Sequence, residues 1–279
     1  MGDRIDPRER LAALAAAPEA PGVLGEAALW IAAEEYPDLD VGGWLGQLAA
    51  LGRRAAERVT PNLDVDATAA ALGRVLFEEE GFHGNTEDYY DPRNSFLNDV
   101  LERRLGIPIT LSIVYIEVAA RAGVRVRGVG LPGHFIVRME RPGGTRLLDP
   151  FHGGRALTEA DCDRLVERVS GAQVSLDSRY LRPVTTREIL VRMLRNLKGA
   201  YVSLGDWNRA LVAVDRILLL APEDLGEVRD RGGIYSRAGQ TRAAIRDWET
   251  YITRAPDAPD VERVRESLRA LRQALASLN

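Results

Sequence analysis

A spacing of 34 residues governs the last third of this chain. Leu197, Tyr201, Gly205, Ala210, Val214, Ile217 and Pro222 are answered, each 34 positions later, by Arg231, Tyr235, Gly239, Ala244, Trp248, Tyr251 and Pro256. A repeat of this length with apolar residues at helical intervals is a pair of antiparallel helices. One such pair cannot bury its apolar face alone, so successive pairs must stack. Ala210 and Ala244 are small where two helices approach, and Pro222 and Pro256 end the second helix of each unit, because proline has no N–H to give to the ladder. Gly232 adds a further small residue. Arg231 alone breaks the apolar pattern.

These positions are those of the tetratricopeptide repeat. Residues 186–279 are therefore expected to form an all-α domain of two repeats, closed by a terminal helix over Asp260–Asn279 whose polar face caps the stack. The concave face of such an array binds extended or helical peptides of a partner; the competing role is to buttress what precedes it.

Residues 1–185 have a different texture. Asp6 followed by Pro7 is an N-cap and first-turn pair, and it opens a run with Leu11, Leu14 and Ala15 at helical spacing. A second helix ends at Tyr36 before Pro37, a third carries Trp44, Leu48 and Leu51, and Asp64 or Asp66 caps a fourth. The turn-rich stretch FHGNTEDYYDPRNSFLNDV follows, with Asn94 or Ser95 as the expected cap of a short helix stopped by Gly106. A more apolar helix runs from Pro108 to Gly123. From Val124 the residues alternate or are β-branched, and a PGG turn at 142–144 predicts about three antiparallel strands, with His134 opening the second and Asp149 near the end of the third. The fold class is α+β.

Charge and cysteine usage exclude several functions. The net charge of −4 offers no basic footprint for nucleic acid, although Arg121, Arg125 and Arg127 cluster locally. No apolar run of about 18 residues exists, so no membrane span is expected. The opening MGDRIDPRER has acids and no apolar stretch, unlike a signal peptide, and Asp6 stands where a myristoylation motif wants Ser or Thr. A single cysteine rules out an internal disulfide framework and suits a reducing compartment, so a cytoplasmic location is expected.

His134 and Asp149 lie 15 residues apart across the expected hairpin, where both can reach one sheet face as a base and its orienter. A structural histidine pinned by a carboxylate is the plainer alternative. Cys162, in EADCDRLVE, follows the aspartate and reads as a half-buried, inert thiol whose acidic neighbours raise its pKa. His83, His134, His152 and Asp149 have the chemistry of a zinc set, but no pair has metal-motif spacing, and His83 and His152 sit in Gly-bearing loops where histidine is often merely exposed. No metal and no cofactor are expected.

Three strings, DYYDPRNSFLNDVLERRLGIPITLSIVYIEVAARAGV, GVGLPGHF and LLDPFHGG, resemble the transglutaminase-like core of the bacterial SirB-type family, whose members join that core to C-terminal tetratricopeptide repeats. The resemblance runs from about residue 25 to the end. It implies a helix-rich, papain-like core with a small antiparallel sheet over 1–185, in which His134 matches the superfamily histidine and Asp149 its acid. It also implies that Asn94, Ser95, Asn98 and Tyr90 line the cleft. The superfamily thiol would fall near Pro108, where this chain has Pro108, Ile109, Thr110, Leu111 and Ser112. The expected function is protein or peptide binding on a scaffold without thiol catalysis, through the former cleft and the repeats. The alternative is a hydrolase or acyl-transferase in which the Thr110 or Ser112 hydroxyl is the nucleophile, His134 the base and Asp149 the orienter. For both hydroxyls the competing role is capping and packing at a helix start.

Overall fold

Helices start where short acidic side chains can satisfy free backbone N–H groups. In the computed structural model, which describes residues 6–171 and 176–277, the Asp6 carboxylate accepts the N–H of Arg8 and Pro7 takes the first position of α1 (Pro7–Ala16). Asp40 does the same for α3 (Val41–Ala56) and Asp64 for α4 (Val65–Gly73). Between them α2 (Val23–Glu35) buries Leu24, Ala27, Ala28, Leu29, Ile31 and Ala32 on nearly all sides, as a helix apolar all round must. α4 passes into one π-helical turn, Arg74–Glu79, whose Phe77 ring stacks on the buried Tyr115.

The chain divides into two compact units, Met1–Met193 and Leu194–Asn279. In the first, β1 (His83–Gly84) pairs in parallel with β2 (Leu105–Gly106), on either side of α5 (Leu97–Arg103). Two expectations for this stretch are corrected. Phe96, not Asn94 or Ser95, occupies the cap position of α5, and the helix stops at Arg104, whose left-handed backbone (φ 61°) ends it before Gly106. Asn94 and Ser95 belong to a separate short 3₁₀ turn, Pro92–Ser95.

α6 (Pro108–Arg121) is almost wholly buried. Its one deep acid, Glu117, is 2% exposed; it accepts the N–H of Gly25 at 2.8 Å and pairs with Arg121, so the charge is not left alone in the core. A sheet in the order β3-β4-β5-β6 follows, antiparallel throughout: β3 (Arg125–Leu131), β4 (His134–Arg141), β5 (Gly144–Asp149) and β6 (Arg155–Leu157). The sheet thus has a fourth strand beyond the three expected. β6 is three residues long, too short for an alternating pattern to show. α7 (Glu159–Ser170), with a Thr158–Asp161 capping box, packs Cys162 and Val166 onto Val129, Leu131 and Ile136.

α8 (Thr186–Leu204) begins in the first unit and continues into the second. The second unit adds α9 (Trp207–Leu220), α10 (Leu225–Arg237), α11 (Thr241–Arg254) and α12 (Val261–Ala276). The repeat positions Ala210, Val214, Ile217, Ala244, Trp248 and Tyr251 are all buried. Arg231, charged where the pattern calls for an apolar residue, is bidentate to Asp247 at 2.7 and 3.0 Å and reaches Asp215 at 2.8 Å. Among the described residues no helix is long and apolar enough to cross a membrane.

Candidate functional site

Strand register explains how the two chemically significant residues of the first unit meet. Val137 pairs with Leu148, so Asp149 falls opposite Ile136, and Ile136 lies two residues from His134 on the same face of β4. Side chains on one sheet face at this diagonal offset are within mutual reach. His134 Nε2 stands 3.0 Å from Asp149 Oδ2. Ile136 belongs to the cluster that includes Cys162 and Val166, so the couple lies on the sheet face covered by α7.

Asp149 is a hub. Its Oδ2 also meets His152 Nδ1 at 2.7 Å, and its Oδ1 accepts the N–H of Phe151 at 3.1 Å in the turn Pro150–His152. Burial alone would raise the pKa of this carboxyl, which is 1% exposed, but hydrogen bonds and positive charge from His134 and then His152 outweigh it, and the pKa is lowered. An ionised Asp149 holds a proton on each ring nitrogen facing it. When the rings are neutral, this leaves Nδ1 of His134 and Nε2 of His152 without a proton. His152 is therefore not a merely exposed loop histidine: its ring is half-exposed and tied to the acid. The i,i+3 spacing of Asp149 and His152 across a proline turn was the available signal. His83 bonds instead to the carbonyl of Gly81.

Aromatic rings form one wall. Phe151 meets His134 edge-on at 6.1 Å and Tyr89 at 6.3 Å, and Tyr89 in turn meets Tyr90, which is 62% exposed. A Cβ on Gly84 would stand 2.5 Å from the Phe151 ring, so only glycine admits that contact. Arg192 of α8 donates to the backbone carbonyl of His134 at 2.6 Å and lies over Phe135. No local pattern marks it, because its partner is a backbone atom 58 positions away.

The remaining candidates lie deeper. Asn94 is fully buried and holds the aromatic loop from beneath: it donates to the carbonyls of Asp88 and Tyr89 and accepts from Asn85. Ser95 and Asn98 are buried as well, so among these four only Tyr90 presents its side chain to solvent. The Thr110 hydroxyl accepts the N–H of Ile107 and donates to the carbonyl of Asn94 at 2.8 Å, so it closes the start of α6. Ser112 is fully buried with no partner for its hydroxyl. Neither forms a hydrogen bond with His134. Cys162 is wholly buried rather than half-buried, and burial, then Asp161 and Asp163, push its pKa up to about 11.

Beside Asp149 and His152 opens a cavity of about 490 Å³, bounded by Arg155, Asp161, Arg164 and Arg168. The second unit carries a groove of about 560 Å³ lined by Val202, Trp207, Ile234 and Trp248 and by the charged Lys198, Arg229, Asp230, Arg237 and Arg263.

Comparison with known proteins agrees with both units. Residues 43–195 match a transglutaminase-like superfamily domain, and residues 197–269 match a tetratricopeptide repeat model. A UPF0162 protein of Xylella fastidiosa is 41% identical over 247 residues, covering 86% of this chain and 87% of its own length. Another UPF0162 protein, from Pseudomonas aeruginosa, is 32% identical over 264 residues, with 95% and 96% covered. The mouse F-box only protein 21 is 34% identical over 144 residues, which is 48% of this chain and 21% of that protein.

Proposed function

Since the chain belongs to the UPF0162 family and carries a transglutaminase-like domain followed by tetratricopeptide repeats, we propose that it is a protein- or peptide-binding scaffold without thiol catalysis, acting in the cytoplasm. The observation that carries this reading is the hydrogen bonding of His134. Its ring bonds to Asp149, and no thiol or hydroxyl bonds to it among the described residues. A serine or threonine is a weak nucleophile without a base in hydrogen-bond reach. The Thr110 hydroxyl is committed to the backbone of Ile107 and Asn94. Cys162 lies inside an apolar cluster with its pKa raised, the reverse of what a reactive thiol needs.

Binding would use the groove of the repeats, where aromatic and aliphatic side chains supply contact area and the charged side chains, mostly basic, supply orientation. The exposed Tyr90, linked to His134 through the rings of Tyr89 and Phe151, offers a second contact. The test is capture of a partner by the full chain, compared with the double variant Trp207→Ala, Arg237→Glu and with His134→Ala. The expected result is loss of the partner from the double variant and its retention by His134→Ala. Amide or ester hydrolysis, or acyl transfer to an amine, that disappears in His134→Ala would reverse the reading in favour of an enzyme.

A further inference from the structure

We propose that His134, Asp149 and His152 together form a binding site for a divalent transition-metal ion of the zinc class. The reading is independent of the binding function argued above. One potential ligand atom from each residue lies within 4.8 Å of the other two. Asp149 Oδ2 is the common point, at 3.0 Å from His134 Nε2 and 2.7 Å from His152 Nδ1. An ion bound through nitrogen and oxygen at about 2.0–2.2 Å holds neighbouring donors roughly 3.3 Å apart in a tetrahedral shell. The Asp149 oxygen therefore needs to part from the two nitrogens by roughly 0.3 and 0.6 Å, while the nitrogens, within 4.8 Å of each other, settle to the same spacing.

The donor set fits this class of ion and not the alkaline earths. Two imidazoles and one carboxylate suit zinc, cobalt, nickel or copper, whereas calcium and magnesium call for an all-oxygen shell. A neutral imidazole keeps one proton. Moving that proton from the ring nitrogen facing Asp149 to the far nitrogen exposes the lone pair the ion needs, and no net proton is lost. For His152 the far nitrogen belongs to a half-exposed ring that can pass its hydrogen bond to water. The single carboxylate reduces the ion's charge, and Phe151 N–H on Asp149 Oδ1 keeps the carboxylate from turning away.

Access and support are both built in. His134 and Asp149 are buried and fixed, the first by the Arg192 contact to its carbonyl, while His152 and Asp149 border the cavity beside α7. Three protein ligands leave at least one coordination position for water or for a ligand in that cavity. The acids Asp149, Asp161 and Glu167 and the arginines Arg155, Arg164 and Arg168 around it balance in number, so the opening is not closed to a cation by net charge.

The experiment uses the full chain, freed of metal with a chelator, and titrates Zn²⁺ by calorimetry and Co²⁺ by visible absorption. The expected result is one equivalent bound, with ligand-field bands for cobalt and histidine side-chain NMR shifts confined to His134 and His152. Binding is expected to weaken at least about tenfold in His152→Ala and in Asp149→Asn, in line with loss of one ligand, and to be unchanged in His83→Ala. His152→Ala removes a half-exposed ring from a surface turn, so its fold is checked by the retained circular dichroism and melting of the metal-free chain. Absence of stoichiometric binding, or equal affinity in the wild type and in a folded His152→Ala, overturns the proposal.

Discussion

Asp149 and His134 meet although they belong to different strands, because the antiparallel register sets Asp149 opposite Ile136, two residues from His134 on one sheet face. The same carboxylate then takes His152 from the turn that follows. One buried acid thus fixes two imidazoles, and the positions of both depend on its charge.

Replacing that acid tests the dependence. Asp149→Asn leaves one oxygen for three N–H donors, so the amide N–H₂ must face either the Phe151 N–H or both rings. At least one of these bonds is then lost. The substitution should destabilise the first unit by about 1–3 kcal/mol, the cost of leaving a buried polar group unsatisfied. Urea unfolding gives this as a lower midpoint at unchanged slope. A midpoint equal to wild type would mean that the acid contributes nothing to holding the two rings.

Cys162 should behave as a core atom. With its pKa pushed up to about 11 by burial and by Asp161 and Asp163, little thiolate is present at pH 8. Reaction of the native chain with a chromogenic disulfide should run about a hundredfold or more slower than that of a free thiol, and should recover fully in denaturant. Rapid labelling in the native state would show that α7 opens readily from the sheet.

Local chemistry made most elements of the fold readable, and long-range contacts hid the rest. The caps at Asp6 and Asp64, the Pro142–Gly143 turn and the 34-residue period each depend on neighbours in sequence. β6 escaped because three residues after a Gly-Gly pair carry no periodic signal. Asn94 has the chemistry of a helix cap, but the Asn85 amide takes its side-chain oxygen and two carbonyls of its own loop take its N–H₂. At the site, His134 and Asp149 were visible through the hairpin. His152 reads from sequence as an exposed loop histidine although its acid lies three residues back, and Arg192 carries no signal because it acts through a distant carbonyl. Arg231 broke the repeat pattern for a reason that only the packed helices supply, namely the carboxylates of Asp215 and Asp247 on α9 and α11.

Two adjacent glycines of α10 should respond in opposite directions to the same substitution. A Cβ on Gly232 would lie 2.5 Å from Trp248 Cδ1, whereas a Cβ on Gly233 meets nothing within 4 Å. Gly232→Ala must push the indole out of its cluster with Tyr251, Val264 and Leu268, at about 1–3 kcal/mol. Gly233→Ala gains helix propensity without a clash and should stabilise by up to about 1 kcal/mol. Thermal melts of the two variants provide the comparison, and equal shifts would show that the repeat helices are not in contact at Gly232.

The second unit should lose stability in acid through Asp230. Burial would raise the pKa of this carboxyl, but hydrogen bonds from Lys198 at 2.9 Å and from Arg229 at 2.6 Å, with their charges, outweigh it, and the pKa is lowered. A carboxyl that titrates lower in the folded chain than its unfolded value of about 3.9 contributes stability that is fully present above that value. The contribution disappears as pH falls through the folded pKa, because the unfolded chain takes up the proton first. The indole of Trp248 reports on this unit, so urea unfolding can be followed by its fluorescence in a chain whose other tryptophans are replaced by phenylalanine. The midpoint should fall as pH drops below about 4, and less steeply in Asp230→Asn, which has no proton to gain. A slope unchanged by that substitution would assign the acid sensitivity to other carboxylates of the repeats, with Asp260, also held low by Tyr251 and Arg229, the next to replace.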